Sequence, residues 1–216
     1  MPSSKNLPPT NAILGAKFYT GKGHNVDAQV ATRGEFFKAL LRCIEQTSVM
    51  RGDGDSKTVA LDAALAEFKK VLKAAHKRGG RAIFIGNGGS AAIASHMAVD
   101  YTKNGGIRAV AFNDAPTLTC LANDFGYDRV FAKQIEYHAR AEDVVVIVST
   151  SGRSPNIVAA ADEARERGLR GVFTFSGMNP NNALRTRGDL NFYVPCDDYG
   201  LVELSHLALL HSVVSV

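Results

Sequence analysis

Short all-apolar runs alternate along this chain with longer segments in which apolar residues recur every three or four positions. The clearest periodic segment carries Leu61, Leu65, Phe68, Leu72 and Ala75 at spacings of 4, 3, 4 and 3, the pattern of a helix with one buried face. Gly79-Gly80 follows it, so a helix is predicted over about 57–77. An earlier segment, about 27–50, puts Phe36, Leu40, Leu41 and Ile44 on one side and predicts a second amphipathic helix. Arg51-Gly52-Asp53-Gly54-Asp55-Ser56 between them is loop by composition. Its Arg-Gly-Asp tripeptide is short enough to arise by chance. Residues 1–26, rich in Ser, Pro, Asn and Gly, predict a flexible tail or an arm lying on a partner subunit.

Beyond the second helix the all-apolar runs set the frame. Ala82-Ile83-Phe84-Ile85 predicts a strand buried on both faces. Val144 to Val148 is an uninterrupted β-branched run and the firmest strand of all. Shorter runs at 108–112, 171–175 and 190–194 complete a set of five. Helical segments lie between them: one opening at Ser90 as N-cap, one ending near 123, one over 130–139, and one over 155–167 with a proline in its first turn. A last helix runs from about 200 to the end. Strands separated by helices predict an α/β fold, a doubly wound five-stranded parallel sheet with ligands at the strand C-terminal ends. Residues 27–216 are read as one domain, whose two N-terminal helices need a surface to bury against: the domain's own sheet, or a helix bundle with neighbouring subunits.

Composition narrows the class. A chain of 216 residues with 45% hydrophobic and 21% charged residues suits one globular domain with a full core. The net charge of +4 is spread among interspersed acids and bases, so nucleic acid is not an expected partner. Apolar runs are strand-length and the N-terminus lacks an apolar signal core, so neither a membrane span nor export is expected. Cys43, Cys120 and Cys196 lie far apart without metal-ligand spacing, as reduced thiols of a cytoplasmic protein would.

Two loops concentrate the chemistry. The first strand feeds Gly86-Asn87-Gly88-Gly89-Ser90 and then an Ala-rich helix, an arrangement that aims several backbone N–H groups at one point and welcomes an anion. The spacing fits neither the dinucleotide fingerprint nor a P-loop. His96 and Asp100, four apart on the same helix, could meet. The second loop follows the β-branched strand and carries Ser149, Thr150, Ser151 and Ser154, hydroxyls that can satisfy phosphate oxygens. An N-cap and a polar turn would explain one such cluster equally well. Two of them at strand ends favour a phosphorylated ligand.

GNGGSAAIASH, LTCLANDFGYDRVFAKQIE and DVVVIVSTSGRS, with the final helix, resemble the sugar isomerase (SIS) domain family and, within it, the phosphoheptose isomerases. The resemblance covers about 61–216 and implies a homotetramer with active sites between subunits. It implies conversion of sedoheptulose 7-phosphate to D-glycero-D-manno-heptose 7-phosphate. It also implies a zinc ion, or another divalent ion, held by His96, Asp100, Glu203 and His211, with Asp100 and His211 as acid–base groups. On the same basis Ser149, Thr150, Ser151 and Ser154 bind phosphate, helped by Gly88, Gly89 and Ser90. Asn87 and Asp114 orient sugar hydroxyls, and Gln134 reaches in from a neighbouring subunit. His206 corresponds to another histidine common in the family's last helix.

The chain departs from the family at two ligand positions: Asp100 stands for Glu and Glu203 for Gln. An acidic position of the family is Gly200 here, with Asp197 and Asp198 just upstream. Two histidines with two carboxylates would neutralise a divalent ion and lower its Lewis acidity. Isomerisation of another phosphosugar, or a non-catalytic role as a phosphosugar-binding regulator or replication-initiator-binding adaptor, stays open at this level.

Overall fold

The computed structural model describes residues 16–19, 25–28, 32–52 and 58–216. All five predicted strands form: β5 (Ala82–Gly86), β6 (Ala109–Ala111), β7 (Val144–Ser149), β8 (Gly171–Gly177) and β9 (Leu190–Val194). Each pairs in parallel with its neighbours, in the spatial order β6-β5-β7-β8-β9. The chain steps outward from β5 to β6, then reverses to β7, so the loops after β5 and β7 flank the topological switch point where such sheets bind ligands.

Alternation along β7 shows why the strand reads as continuously apolar. Val144, Val146 and Val148 enter one core with α1 (Arg33–Glu45), α2 (Leu61–Lys77), α3 (Gly88–Lys103) and α7 (Tyr199–Ser215). Val145 and Ile147 enter a second core with α4 (Ala115–Phe125), α5 (Val130–His138) and α6 (Pro155–Glu166). Both faces are covered by helices, and no side of the strand meets water. Phe68 on α2 packs on Phe173 with ring centroids 4.4 Å apart, and Phe175 stacks on Phe192 at 4.7 Å, pinning α2 to the sheet.

The sheet has seven strands rather than the five expected. β3 (Ser48–Arg51) pairs antiparallel with β9, and β4 (Thr58–Val59) pairs with β3. Residues 48–50, read as the end of a helix, are therefore strand. α1 stops at Glu45, and Val49, opposite Phe192, is fully buried where it covers the edge of β9. Thr32 and Glu35 form a capping box that starts α1 at Arg33, later than position 27. Phe36, Leu40 and Ile44 face the core as expected, whereas Leu41 points outward with Phe37. The tail expected over 1–26 lies mostly outside the described residues, as does 53–57. β1 (Ala16–Tyr19) falls within it and pairs as an antiparallel ribbon with β2 (Asn25–Ala28), which runs past its end. Cys43 and Cys196, distant in the chain, are both fully buried in the first core. No helix among the described residues is long and apolar enough to cross a membrane.

Candidate active site

One residue separates β5 from α3 and five separate β7 from α6, so both helices direct their N-termini at the switch point. Asn87, not Ser90, is the N-cap of α3, and Gly88 takes φ +51°, a left-handed conformation that suits glycine. Ser90 falls in the first helical turn, 4% exposed. Asn87 and Ser154, the N-cap residues of α3 and α6, are both of a type able to cap, yet neither side chain does so. Thr32, Asp114 and Asp198 do cap α1, α4 and α7. The helix ends facing the switch point thus keep N–H groups for an external acceptor.

Between them lies a cleft of about 100 Å³ walled by Asn87 and Ser90 from the first loop and Ser149, Thr150, Ser151 and Ser154 from the second. Pockets that enclose whole ligands run to roughly 300–1,000 Å³, so this one has the scale of a single group such as a phosphate. The Thr150 hydroxyl is buried there without a hydrogen-bond partner, the condition of a group awaiting a ligand. Ser149 is tied into the turn, its Oγ accepting from the Gly152 N–H at 3.2 Å.

Tyr199 and Glu203 close the cleft from α7. A Cβ at Gly89 would lie 2.5 Å from a Glu203 carboxylate oxygen, so glycine is what lets that carboxylate rest on the start of α3. Glu203 is therefore the one acidic side chain in a cleft wall otherwise made of amide, hydroxyl and phenol groups. Glu203→Gln is expected to tighten inorganic phosphate binding about tenfold, measured by calorimetric titration.

Farther along α3 a second cluster forms. The Nε2 atoms of His96 and His211 are 3.2 Å apart, and the Asp100 carboxylate lies 3.7 Å from His96 Nε2 and 3.3 Å from His211 Nδ1. One ligand atom from each of the three lies within 4.8 Å of the others. A tetrahedron with metal–ligand bonds of about 2 Å has edges near 3.3 Å. The two short His211 distances are to different ring nitrogens, of which an ion takes one, so the donor set suits a divalent cation once the side chains draw in from a separation of up to 4.8 Å. The His96 side chain is 54% exposed, leaving room for further ligands.

Glu203 is not part of this cluster. Its carboxylate lies in the cleft wall against Gly89, and His211, eight residues or about 12 Å of helix further on, lies in the cluster. Two histidines and one carboxylate would leave a divalent ion with net positive charge, where the four-residue set expected from sequence would leave it neutral. Asp114 stays outside both groups: its carboxylate accepts from the Thr117 N–H at 3.0 Å and hydroxyl at 2.7 Å, and these bonds hold it below the usual carboxylate range. Gln134 is buried inside this chain's own second core, its amide donating to Val130 O at 3.1 Å.

Three residues near the site escape the sequence reading. Tyr199 reaches the cleft, while Tyr127 and Asn156 hold the Asn87 amide. Only the hydroxyl-rich surroundings of Asn156 hinted at it.

His206 is fully buried, its Nε2 3.1 Å from Ser176 O, and burial pushes its pKa from 6.5 down to about 4. The folded imidazole stays neutral while the unfolded one charges, so its contribution to stability is complete above pH 6.5 and is lost as pH falls from there toward 4. Denaturation curves should show about 2–3 kcal/mol lost from this source between about pH 7 and pH 4.5. The loss should be absent from the His206→Asn variant.

A family model described as SIS domain matches residues 55–173, more than half of the chain, and the protein belongs to that family. Curated relatives place it more narrowly, among the phosphoheptose isomerases. That of Citrifermentans bemidjiense is 33% identical over 159 residues, covering 71% of this chain and 82% of the relative. That of Burkholderia pseudomallei is 37% identical over 164 residues, covering 72% and 82%. The solved structure of the phosphoheptose isomerase from Neisseria gonorrhoeae matches with a TM-score of 0.70 at 29% identity, over 83% of this chain and 94% of that one.

Proposed function

We propose that the protein interconverts sedoheptulose 7-phosphate and D-glycero-D-manno-heptose 7-phosphate by a metal-assisted enediol route. The observation that carries this reading is the cleft where two uncapped helix ends and the orphan Thr150 hydroxyl converge, with an acid–base cluster farther along the same helix. His96 and Asp100 follow Ser90 by six and ten residues, about 9 and 15 Å of helix rise. An extended seven-carbon chain of roughly 1.5 Å bonds spans about 8–10 Å from its phosphate to C1 and C2. A phosphate in the cleft would therefore bring the reacting carbons to the cluster.

Ser90, Thr150, Ser151 and Ser154, with the backbone at Gly88 and Gly89, hold the phosphate, and Asn87 directs an N–H at the ligand. His96, Asp100 and His211 hold a zinc ion or another divalent cation, which would polarise the carbonyl and the neighbouring hydroxyl. Asp100 takes a proton from C1 of the ketose and returns it to C2. His211 moves the hydroxyl proton from O1 to O2. Phe37, Leu41, Val99 and Leu204 leave large apolar side chains exposed on α1, α3 and α7, on the elements that carry the cluster or border it. A homotetramer burying them accounts for that surface, and a cytoplasmic setting suits the reduced cysteines.

Calorimetric titration separates this reading from its rivals. Sedoheptulose 7-phosphate should bind and be displaced by inorganic phosphate, and unphosphorylated sedoheptulose should not bind detectably. Equal binding of both sugars would remove the phosphate from the cleft and the reading with it.

A further inference from the structure

The Asn87 side chain, left free of capping, is held by another element. Its Nδ2 donates to Asn156 Oδ1 at 2.9 Å, and Asn156 Nδ2 donates back to Asn87 Oδ1 at 3.0 Å. The Tyr127 hydroxyl donates to the same Oδ1 at 3.2 Å. Asn156 sits in the first turn of α6, 2% exposed, and is not part of the cleft wall. The two amides thus form a closed ring of two hydrogen bonds across 69 residues of chain, joining the start of α3 to the start of α6.

A primary amide carries two N–H donors and one carbonyl acceptor. With Oδ1 of Asn87 already taking two donors, its carbonyl is spent inside the protein, and one N–H remains for whatever enters the cleft. An anion or a sugar oxygen needs that donor; a rotated amide would present a repelling carbonyl instead. Rotation would set like against like across the ring, N–H facing N–H and oxygen facing oxygen.

We infer that Asn156 is a positioning residue for the anion cleft: it fixes the Asn87 amide with a donor toward the ligand and sets the spacing between the two helix ends. The inference rests on the reading of the cleft as a phosphate site. Asn156 acts through Asn87 and touches no ligand. The Tyr127 hydroxyl supports the same orientation from an exposed position, so its contribution is the smaller one.

Asn156→Leu removes both bonds of the ring without adding charge, and Asn156→Asp keeps the shape but cannot donate while ionised. Inorganic phosphate is titrated into wild type and both variants at about pH 8 and pH 5, with circular dichroism to establish folding. The Leu variant should bind phosphate about tenfold more weakly at both pH values. The Asp variant should be weakened at least as much at high pH and recover toward wild type at low pH, where a protonated carboxyl again donates to Asn87 Oδ1. Glu203, in the cleft wall, is common to all three proteins, so its effect cancels in the ratio to wild type. With sedoheptulose 7-phosphate, KM should rise about tenfold in the Leu variant while kcat changes by less than about threefold. Tyr127→Phe should cost about two- to threefold in phosphate affinity.

A folded Leu variant that binds phosphate like wild type, or an Asp variant whose deficit is the same at both pH values, would overturn the inference. Failure of the wild type itself to bind phosphate would instead overturn the reading of the cleft. Should the Leu variant not fold, the Asp variant's pH response decides alone.

Discussion

Asp100→Asn is expected to lower turnover by about a thousandfold, within the range for losing a positioned acid–base group, while inorganic phosphate binds as in wild type. The substitution keeps size and shape and preserves a partner for Asn104, whose Nδ2 donates to Asp100 Oδ1 at 3.2 Å. It removes the charge that faces both His96 and His211. The cleft is walled by other residues, so binding and chemistry should separate. Asp100 is one methylene shorter than the family's Glu, and Asp100→Glu tests whether this chain has adapted to the shorter reach. If the Asn variant turns over at near the wild-type rate, Asp100 leaves the mechanism.

His96→Ala is expected to lower bound metal from about one ion per subunit to a small fraction, and activity with it by about a hundredfold or more. The side chain is largely exposed, and its close polar contacts are the other two members of the cluster, so little stability should be lost. Metal content by plasma emission spectrometry, read beside the melting temperature, distinguishes loss of a ligand from loss of the fold. A variant with full metal content would place the ion away from His96, Asp100 and His211.

What could be read from the chain alone follows from how locally each feature is encoded. The parallel strands were legible because most of their positions are buried and apolar, without interruption in Val144 to Val148. The loops at 86–90 and 149–154 were legible because glycines and hydroxyls crowd directly after those strands. β3 was not: four residues next to the outermost strand, only Val49 of them buried, are too few to show a period, and they continue the apolar character of α1. The cluster was half legible. His96 and Asp100 sit one helical turn apart on one face, whereas Glu203 and His211 share a face but are separated by about 12 Å of helix. The Asn87–Asn156 ring was invisible because it depends on two helix ends meeting, and neither end carries any local trace of the other. Gln134 is a polar residue inside a recognisable motif that is buried in this chain, its amide donating to Val130 O of its own helix and to Phe112 O beyond it.

The central claim is that these two groups of residues act on one molecule, with the phosphate held at one end and a proton moved at the other. Proton NMR of the zinc-loaded protein with sedoheptulose 7-phosphate in deuterium oxide tests it most directly. Aldose signals should appear, with deuterium incorporated at C2, as expected when a carbon-bound proton exchanges with solvent at the enediol stage. A bound ketose that neither exchanges at C1 nor yields aldose would contradict the account and leave a protein that recognises a phosphosugar without transforming it.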